Sequence, residues 1–234
     1  MLPDFYINRK RLDYLLVELG KEYRKLSKNP IQIIVVGGAA ILTRYSFRIM
    51  SLDLDGMFVP NSDALKHAIN NVADKNNIPT HWLNDDFKYT ESFSKSIYLY
   101  SDYYKTFSNL IEVRLVKPSY LIAMKLVSSR IYRNDLSDVI GIILEERNNN
   151  NPIKKSDIIE SLSNLYGGNY EKKMSLESKQ MLDEIYNEES ELEQMFVTIK
   201  ENEVNNATTL SNIKKNNPTM KIDELIERIK SQKQ

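Results

Sequence analysis

The sequence predicts an α/β (α+β) protein in which a small mixed β-sheet with flanking helices is followed by an all-helical bundle. Short β-branched runs alternate with helical patterns up to residue 148, whereas residues 149–234 carry helical patterns and no strand signal. The run Asn148–Asn151 followed by Pro152 is a cluster of turn-forming residues between these parts. We therefore predict two domains, residues 1–148 and 149–234.

The composition excludes several classes of protein. With 41% hydrophobic and 27% charged residues the chain can bury a core, and its formal net charge of zero is not the signature of a bulk nucleic-acid binder. No apolar run approaches the ~18–20 residues of a membrane span, and the N-terminus lacks a signal-peptide pattern. Cysteine is absent, which excludes disulfides and thiolate catalysis. We expect a cytoplasmic protein with no membrane association.

The N-terminal part of the sequence alternates helical and strand patterns. Leucines at helical spacing predict an amphipathic helix over residues 8–27, which Asn29-Pro30 ends. The run IQIIVV predicts a buried strand over residues 31–36. AAILTRYS, residues 39–46, has the length and composition of a short helix, and MSLDLDGMFV predicts a strand over residues 50–59.

The middle of the sequence continues this alternation. Ser62 is the predicted N-cap of a helix over residues 63–76. Patches of residues 78–108, such as SIYLYSD, are extended in character without a defined register. NLIEVRLV predicts a strand over residues 109–116 with alternating apolar and polar faces. The remaining patterns are helical and cover residues 118–133, 135–147, 156–166, 175–202 and 221–233.

The stretch VVGGAAILTRYSFRIMSLDLDGMF, residues 35–58, carries the strongest chemical signal. Gly37 and Gly38 follow a strand and precede a helix, where backbone amides and the helix N-terminus can receive a phosphate. Asp53 and Asp55 stand at i and i+2 of the next predicted strand and therefore project from one face, which suits Mg²⁺ or Mn²⁺. Two such ions activate a hydroxyl and stabilise a leaving pyrophosphate. The alternative is a solvated turn beside an unrelated glycine pair.

This order of motifs resembles the nucleotidyltransferase superfamily of the DNA polymerase β type. The resemblance covers about residues 30–145 and rests on Val36-Gly37-Gly38 and on Asp53-Leu54-Asp55. The preceding Arg48-Ile-Met-Ser51 is similar to a motif of AbiEii-type abortive-infection and toxin members, which implies that Arg48 and Ser51 contact the nucleotide. The spacer of fourteen residues between Gly38 and Asp53 is longer than is usual in the superfamily.

The resemblance implies a third carboxylate on a later strand. Glu112 is the candidate because it lies on the polar face of an otherwise apolar strand. It would join Asp53 and Asp55 as a metal ligand and help to activate the acceptor. The alternative is that Glu112 forms an ordinary ion pair with a basic neighbour such as Arg114.

A second segment, KPSYLIAMKLVSSRIYRNDLSDVIGII, is similar to the second signature of the AbiEii-type family. The matching residues are Lys125, Arg130, Asp135 and Asp138. The resemblance implies that Lys125 and Arg130 bind the triphosphate and that Asp135 acts as an additional base or holds the lysine. The alternative is a surface salt-bridge ladder between arginines and these aspartates, worth a few tenths of a kcal/mol for each pair.

The function that the resemblance implies is transfer of a nucleoside monophosphate from an NTP to an acceptor hydroxyl, with Mg²⁺ or Mn²⁺ as cofactor. RNA, including a tRNA end, protein and small molecules are the implied acceptors, and a toxin or phage-defence role with a cognate antitoxin follows by analogy. The alternative is a catalytically degenerate protein of the same fold that binds nucleotide, nucleic acid or a protein partner. His67 and His81 lack metal-ligand spacing, and no P-loop or G-x-G-x-x-G motif is present.

Overall fold

A computed structural model describes residues 5–128, 135–187 and 189–216 of the chain. Within these residues the strands are β1 (Ile31–Val35), β2 (Leu54–Val59), β3 (Leu83–Asn84), β4 (Ser101–Phe107) and β5 (Ile111–Val116). The helices are α1 (Arg9–Leu26), α2 (Gly37–Arg44), α3 (Asp63–Asn76), α4 (Pro118–Ser128), α5 (Asp135–Asn148), α6 (Lys155–Tyr166), α7 (Leu176–Asn187) and α8 (Leu192–Asn216).

The strands form one mixed sheet in the order β3-β2-β1-β5-β4. β1 runs parallel to β5 and antiparallel to β2, while β4 runs antiparallel to β5 and β3 parallel to β2. The predicted fold class, a mixed sheet with flanking helices and a helical C-terminal part, is confirmed.

The two faces of the sheet differ in chemistry because side chains alternate along each strand. On one face the β1 and β5 residues are buried and apolar, including Ile33 and Val113. The other face, which we call the polar face, carries Gln32, Asp55, Asn84, Tyr103, Thr106, Glu112 and Arg114 by strand register. The polar face therefore holds every charged or amide side chain of the three central strands β2, β1 and β5.

Helices α1 and α3 pack against each other through their apolar faces. The predicted α3 is confirmed, since it spans Asp63–Asn76 and its N-cap Ser62 accepts a hydrogen bond from the Leu65 amide. α1 also lies close to β4. A Cβ at Gly20 would sit 2.7 Å from the Ser108 hydroxyl, so α1 has no room for a side chain at this position.

The predicted strand over residues 50–59 begins later than expected, at Leu54. Upstream, Ser51 pairs with Ile7 in an isolated antiparallel bridge, with backbone N–O distances of 2.7 and 2.8 Å. Because this bridge takes the backbone groups of Ser51, the chain bends before it joins the sheet. Asp53 therefore lies in the bend and not in the strand.

The structure also bears on three other predicted segments. The extended character of SIYLYSD is wrong in its first part, because Lys95–Tyr100 is a 3₁₀ helix and only then does β4 begin. The helix predicted over residues 118–133 is described as far as Ser128. Its remainder and the helix predicted over residues 221–233 lie outside the described residues.

By backbone packing the chain divides into two compact units. The first comprises residues 1–124 and 156–171, and the second comprises residues 125–155 and 172–234. The predicted domain boundary after residue 148 stays a prediction. In the part of the chain that the structure describes, no helix is both long and apolar enough to cross a membrane.

Candidate functional site

The first part of the candidate site is the junction between β1 and α2. α2 begins at Gly37, whose φ of +60° is readily adopted only by glycine. The backbone amide of Val36 donates to the Asp55 carbonyl across a distance of 2.9 Å, which fixes the junction against β2. The first amides of a helix have no intrahelical partner and form its positive end. This junction can therefore receive an anion.

The second part of the site is formed by the spacer that follows α2. A Cβ at Gly38 would lie 2.7 Å from Nη2 of Arg48 and 2.8 Å from the hydroxyl of Ser51. Arg48 is half-buried, whereas Ser51 is buried and held by its backbone bridge to Ile7. The structure thus places Arg48 and Ser51 against Gly38. Both residues belong to the long spacer, which folds back onto the start of α2.

Of the two aspartates, Asp55 lies next to this junction. A Cβ at Gly37 would lie 3.6 Å from Oδ2 of Asp55, so this carboxylate is close to the start of α2. Asp53 is half-buried in the bend before β2, and its carboxylate makes no hydrogen bond or ion pair with the described residues. A carboxylate that is not engaged by neighbouring side chains is available to a cation.

Asp53 and Asp55 are side chains of the type that could hold Mg²⁺ or Mn²⁺ together with a triphosphate. Mg²⁺ takes hard oxygen ligands and is usually bound by one or two carboxylates together with water and substrate phosphates. Asp53 and Asp55 supply two carboxylates. Among the described residues no group of three or more His, Cys, Asp or Glu side chains could hold a metal ion, so the site lacks a closed protein cage.

The structure does not bring Glu112 to the two aspartates. Glu112 is level with Gln32 of β1, whereas Asp55 is level with Val36. They are separated by four residues along the strands and by two strand spacings, which corresponds to about 16 Å between Cα atoms. The carboxylate of Glu112 instead accepts from Arg114 at 2.9 Å, the ion pair that was its alternative role.

Part of the second signature forms a cluster in the second unit. The buried ammonium group of Lys125 lies 2.7 Å from Oδ1 of Asp135 and 2.9 Å from Oδ2 of Asp138. The Ser128 hydroxyl donates to the other oxygen of Asp135. The two aspartates thus bind Lys125 in the protein interior. Arg130 lies outside the described residues.

One further residue next to this cluster, Glu203, was not predicted from the sequence. Glu203 of α8 is 5% exposed, and its Oε1 accepts from the backbone amides of Leu136 and Ser137 at 2.9 and 3.3 Å. Its Oε2 has no partner within the described part of the chain. Burial raises the pKa of Glu203 to about 7. A single glutamate in a charged helix, far along the chain from α5, carries no local signal of such a contact.

Comparison with known proteins supports the resemblance at the level of the family. A family model described as a nucleotidyltransferase of unknown function (DUF6036) matches residues 15–180, which is more than half of the chain. Searches of curated proteins and of solved structures give no match.

Proposed function

Because the chain belongs to the DUF6036 family of nucleotidyltransferases of unknown function, we propose that it transfers a nucleoside monophosphate from an NTP to an acceptor hydroxyl and releases pyrophosphate. The observation that carries the proposal is the position of Asp55, whose carboxylate lies beside the first residue of α2. This position combines an anion-binding helix start with a cation-binding group, and an NTP–metal complex needs both.

The residues of the first unit have separate roles in this proposal. Asp53 and Asp55 hold Mg²⁺ or Mn²⁺, which neutralises phosphate charge and lowers the pKa of an attacking hydroxyl. The amides of Gly37 and Gly38 donate to phosphate oxygens. Arg48 supplies a fork of N–H donors that suits a phosphate group.

The acceptor and the biological role are further parts of the proposal. RNA, including a tRNA end, protein and small molecules all offer the hydroxyl that the reaction needs. The similarity of Arg48, Ser51 and the Lys125 segment to AbiEii-type proteins supports a toxin or phage-defence role in the cytoplasm, with a cognate antitoxin as partner. The roles of Lys125, Arg130 and Asp135 in binding and catalysis stay predictions.

A degenerate protein that binds nucleotide without turnover is the second candidate. One observation favours it, because Glu112 is about 16 Å from Asp55 by strand register and so cannot share a metal ion with it.

A labelling experiment with matched variants separates these candidates. The protein is incubated with Mg²⁺ or Mn²⁺, each α-³²P-labelled NTP, and total RNA or cell extract, while NTP binding is measured in parallel by calorimetry. We expect a labelled acceptor with the wild-type protein and at least a hundredfold less label with Asp53→Asn or Asp55→Asn.

The control is Asp86→Asn, which changes an exposed aspartate in a turn of the same unit. It should label the acceptor as the wild type does. NTP binding without any labelled acceptor would support the degenerate protein. Labelling that survives both active-site substitutions would refute the proposed roles of the aspartates.

A further inference from the structure

A cavity lies in the first unit, at the end of the sheet where β1 and β5 begin. Its volume is about 410 Å³, and its lining includes Gln32, Val59, Thr106, Leu110 and Glu112. Gln32 and Glu112 are directly paired in the strand register and lie on the polar face. The cavity is therefore on the same face of the sheet as Asp55, at the opposite end of the strands.

The cavity presents hydrogen-bond acceptors without net charge. Oε1 of Glu112 accepts from the side chains of Arg114 at 2.9 Å and Gln32 at 3.1 Å. Arg114 thus neutralises the carboxylate and, with two further hydrogen bonds to Ser101, is fixed in place. Oε2 of Glu112 and the amide oxygen of Gln32 have no partner within the described part of the chain. Two adjacent acceptors favour a ligand group that offers hydroxyl or N–H donors.

An aromatic ring stands at the rim of this cavity. Tyr103 is 60% exposed and shares the polar face with Arg114, its partner in the strand register. Its hydroxyl lies 3.2 Å from the hydroxyl of Thr106, which lines the cavity. The position of the ring is therefore fixed at one edge while its surface is open. Exposed aromatic rings of this kind stack on nucleobases.

We propose that this cavity binds one ribonucleotide of an RNA acceptor. The ribose 2′-hydroxyl donates to this pair of acceptors, Oε2 of Glu112 and the amide oxygen of Gln32, and the base stacks on Tyr103. Carboxylates commonly bind ribose in this way by accepting from its 2′-hydroxyl. The proposal rests on the proposed function and narrows its acceptor to RNA, because DNA lacks the 2′-hydroxyl.

The distance between the cavity and the candidate catalytic residues agrees with this role. The Cα atoms of Glu112 and Asp55 are about 16 Å apart, which is too far for one nucleotide to contact both side chains. Ile34 lies between them on the same face and is fully buried, so an RNA strand would pass over the residues that cover Ile34. A nucleotide in the cavity would lie a few positions before the acceptor end. Glu112 would then recognise the acceptor strand and take no part in metal binding.

The test is equilibrium binding of a fluorescent ten-nucleotide single strand, made as RNA, as DNA and as 2′-O-methyl RNA, measured by anisotropy at low salt with Mg²⁺. Wild-type protein should bind the RNA about tenfold more tightly than the other two strands, the size expected for a hydrogen bond to a charged group. Gln32→Leu and Glu112→Gln should each reduce this ratio at least threefold. Tyr103→Leu should weaken RNA and DNA binding equally, about tenfold, and leave the ratio unchanged.

The matched control is Glu160→Gln, an exposed glutamate of α6 in the same unit, which should bind as the wild type does. Circular dichroism of each variant identifies loss of folding. If Glu112→Gln does not fold, Gln32→Leu still tests the proposal, because it leaves the Glu112–Arg114 pair in place. Equal binding of RNA and DNA by the wild type, or no measurable binding of either, overturns the proposal.

The experiment also separates this inference from the proposed function. Selective RNA binding without nucleotide transfer would retain the cavity assignment and reject the enzyme. Transfer that requires Asp53 but shows no preference for ribose would retain the enzyme and reject the cavity assignment. If Glu112→Gln instead reduced transfer equally to every acceptor without changing RNA binding, Glu112 would be catalytic and the cavity assignment would fail.

Discussion

The guanidinium group of Arg48 occupies the space that a side chain at Gly38 would need. A Cβ built on Gly38 would lie 2.7 Å from Nη2 and 3.0 Å from Cζ of Arg48. Glycine at this position therefore allows the spacer after α2 to fold back onto the start of the helix. The contact joins two motifs that are ten residues apart in the sequence.

Gly38→Ala should displace Arg48 while the fold survives, because the end of a flexible side chain can move. We expect NTP affinity to fall about tenfold, since a donor to phosphate is lost, and the free energy of unfolding to change by less than about 1 kcal/mol. Calorimetry with an NTP and urea unfolding measure the two quantities. Gly168→Ala is the control, because a Cβ there meets no atom within 4 Å. Equal NTP affinity in both variants would contradict the prediction.

Lys125→Met should destabilise the protein because it leaves two buried carboxylates without their shared cation. We expect a loss of about 3 kcal/mol in the free energy of unfolding, measured with urea. Lys155→Met is the control, since Lys155 pairs with Asp183 at the surface and its loss should cost less than about 1 kcal/mol. Adding Asp135→Asn to Lys125→Met should recover part of the stability. Equal losses in the two lysine variants would show that the cluster has no special energetic role.

Glu203 should make stability fall as pH rises. Its pKa of about 7 in the folded protein exceeds the ordinary value of 4.5, so the folded state holds the proton more tightly. Its contribution is then complete below about pH 4.5 and is lost as pH rises through about 7, by about 2 kcal/mol. Glu203→Gln keeps an oxygen for the α5 amides and cannot ionise. Between pH 5 and pH 8 this variant should gain about 2 kcal/mol relative to the wild type in urea unfolding.

The control for this pH dependence is Glu201→Gln, an exposed residue of the same helix. Its stability should follow the wild-type curve at every pH. Parallel curves for Glu203→Gln and the wild type would refute the assignment of the pH dependence to Glu203.

Glu22 should act in the opposite direction. Its carboxylate is 4% exposed and accepts hydrogen bonds from Lys25 of α1 and Lys75 of α3, which lower its pKa. Its contribution is present above about pH 4.5 and is lost as pH falls through the lowered pKa. Because both ammonium groups are exposed, Glu22→Gln should cost only about 0.5–1 kcal/mol at pH 7 and less at pH 3.

The comparison for Glu22 is Glu18→Gln, which removes an ion pair with Lys21 within α1. Thermal unfolding at pH 3 and pH 7 measures both variants. A larger effect of Glu18→Gln at pH 7 would contradict a role for Glu22 in joining the two helices.

Local patterns were sufficient to predict most elements of the fold. α3 and its N-cap Ser62 follow from helical periodicity and capping chemistry, and both act within a few residues. The start of β2 could not be predicted in this way. It depends on the bridge between Ser51 and Ile7, a contact across more than forty residues that leaves no mark in the local pattern.

The candidate site likewise contains residues that a local pattern indicates and one residue, Glu112, whose position it does not give. Gly37, Gly38, Asp53 and Asp55 are candidates from order and spacing, because an anion-binding helix start and a cation-binding carboxylate pair need fixed residue types, and their roles stay predictions. The position of Glu112 could not be predicted in this way. Alternation along β5 shows which face of the sheet Glu112 occupies, but not how far along the strand direction it lies from Asp55. That distance is set by the pairing of β5 with β1.

The sequence by itself determined the fold class and indicated the nucleotidyltransferase family, because these depend on residue type and short spacing. Tertiary structure alone decided that Arg48 lies against Gly38, that Lys125 is buried between Asp135 and Asp138, and that Glu112 belongs to a separate cavity. The physical reason is that strand register and long-range side-chain contacts follow from the packing of the whole chain, which no local window of residues contains.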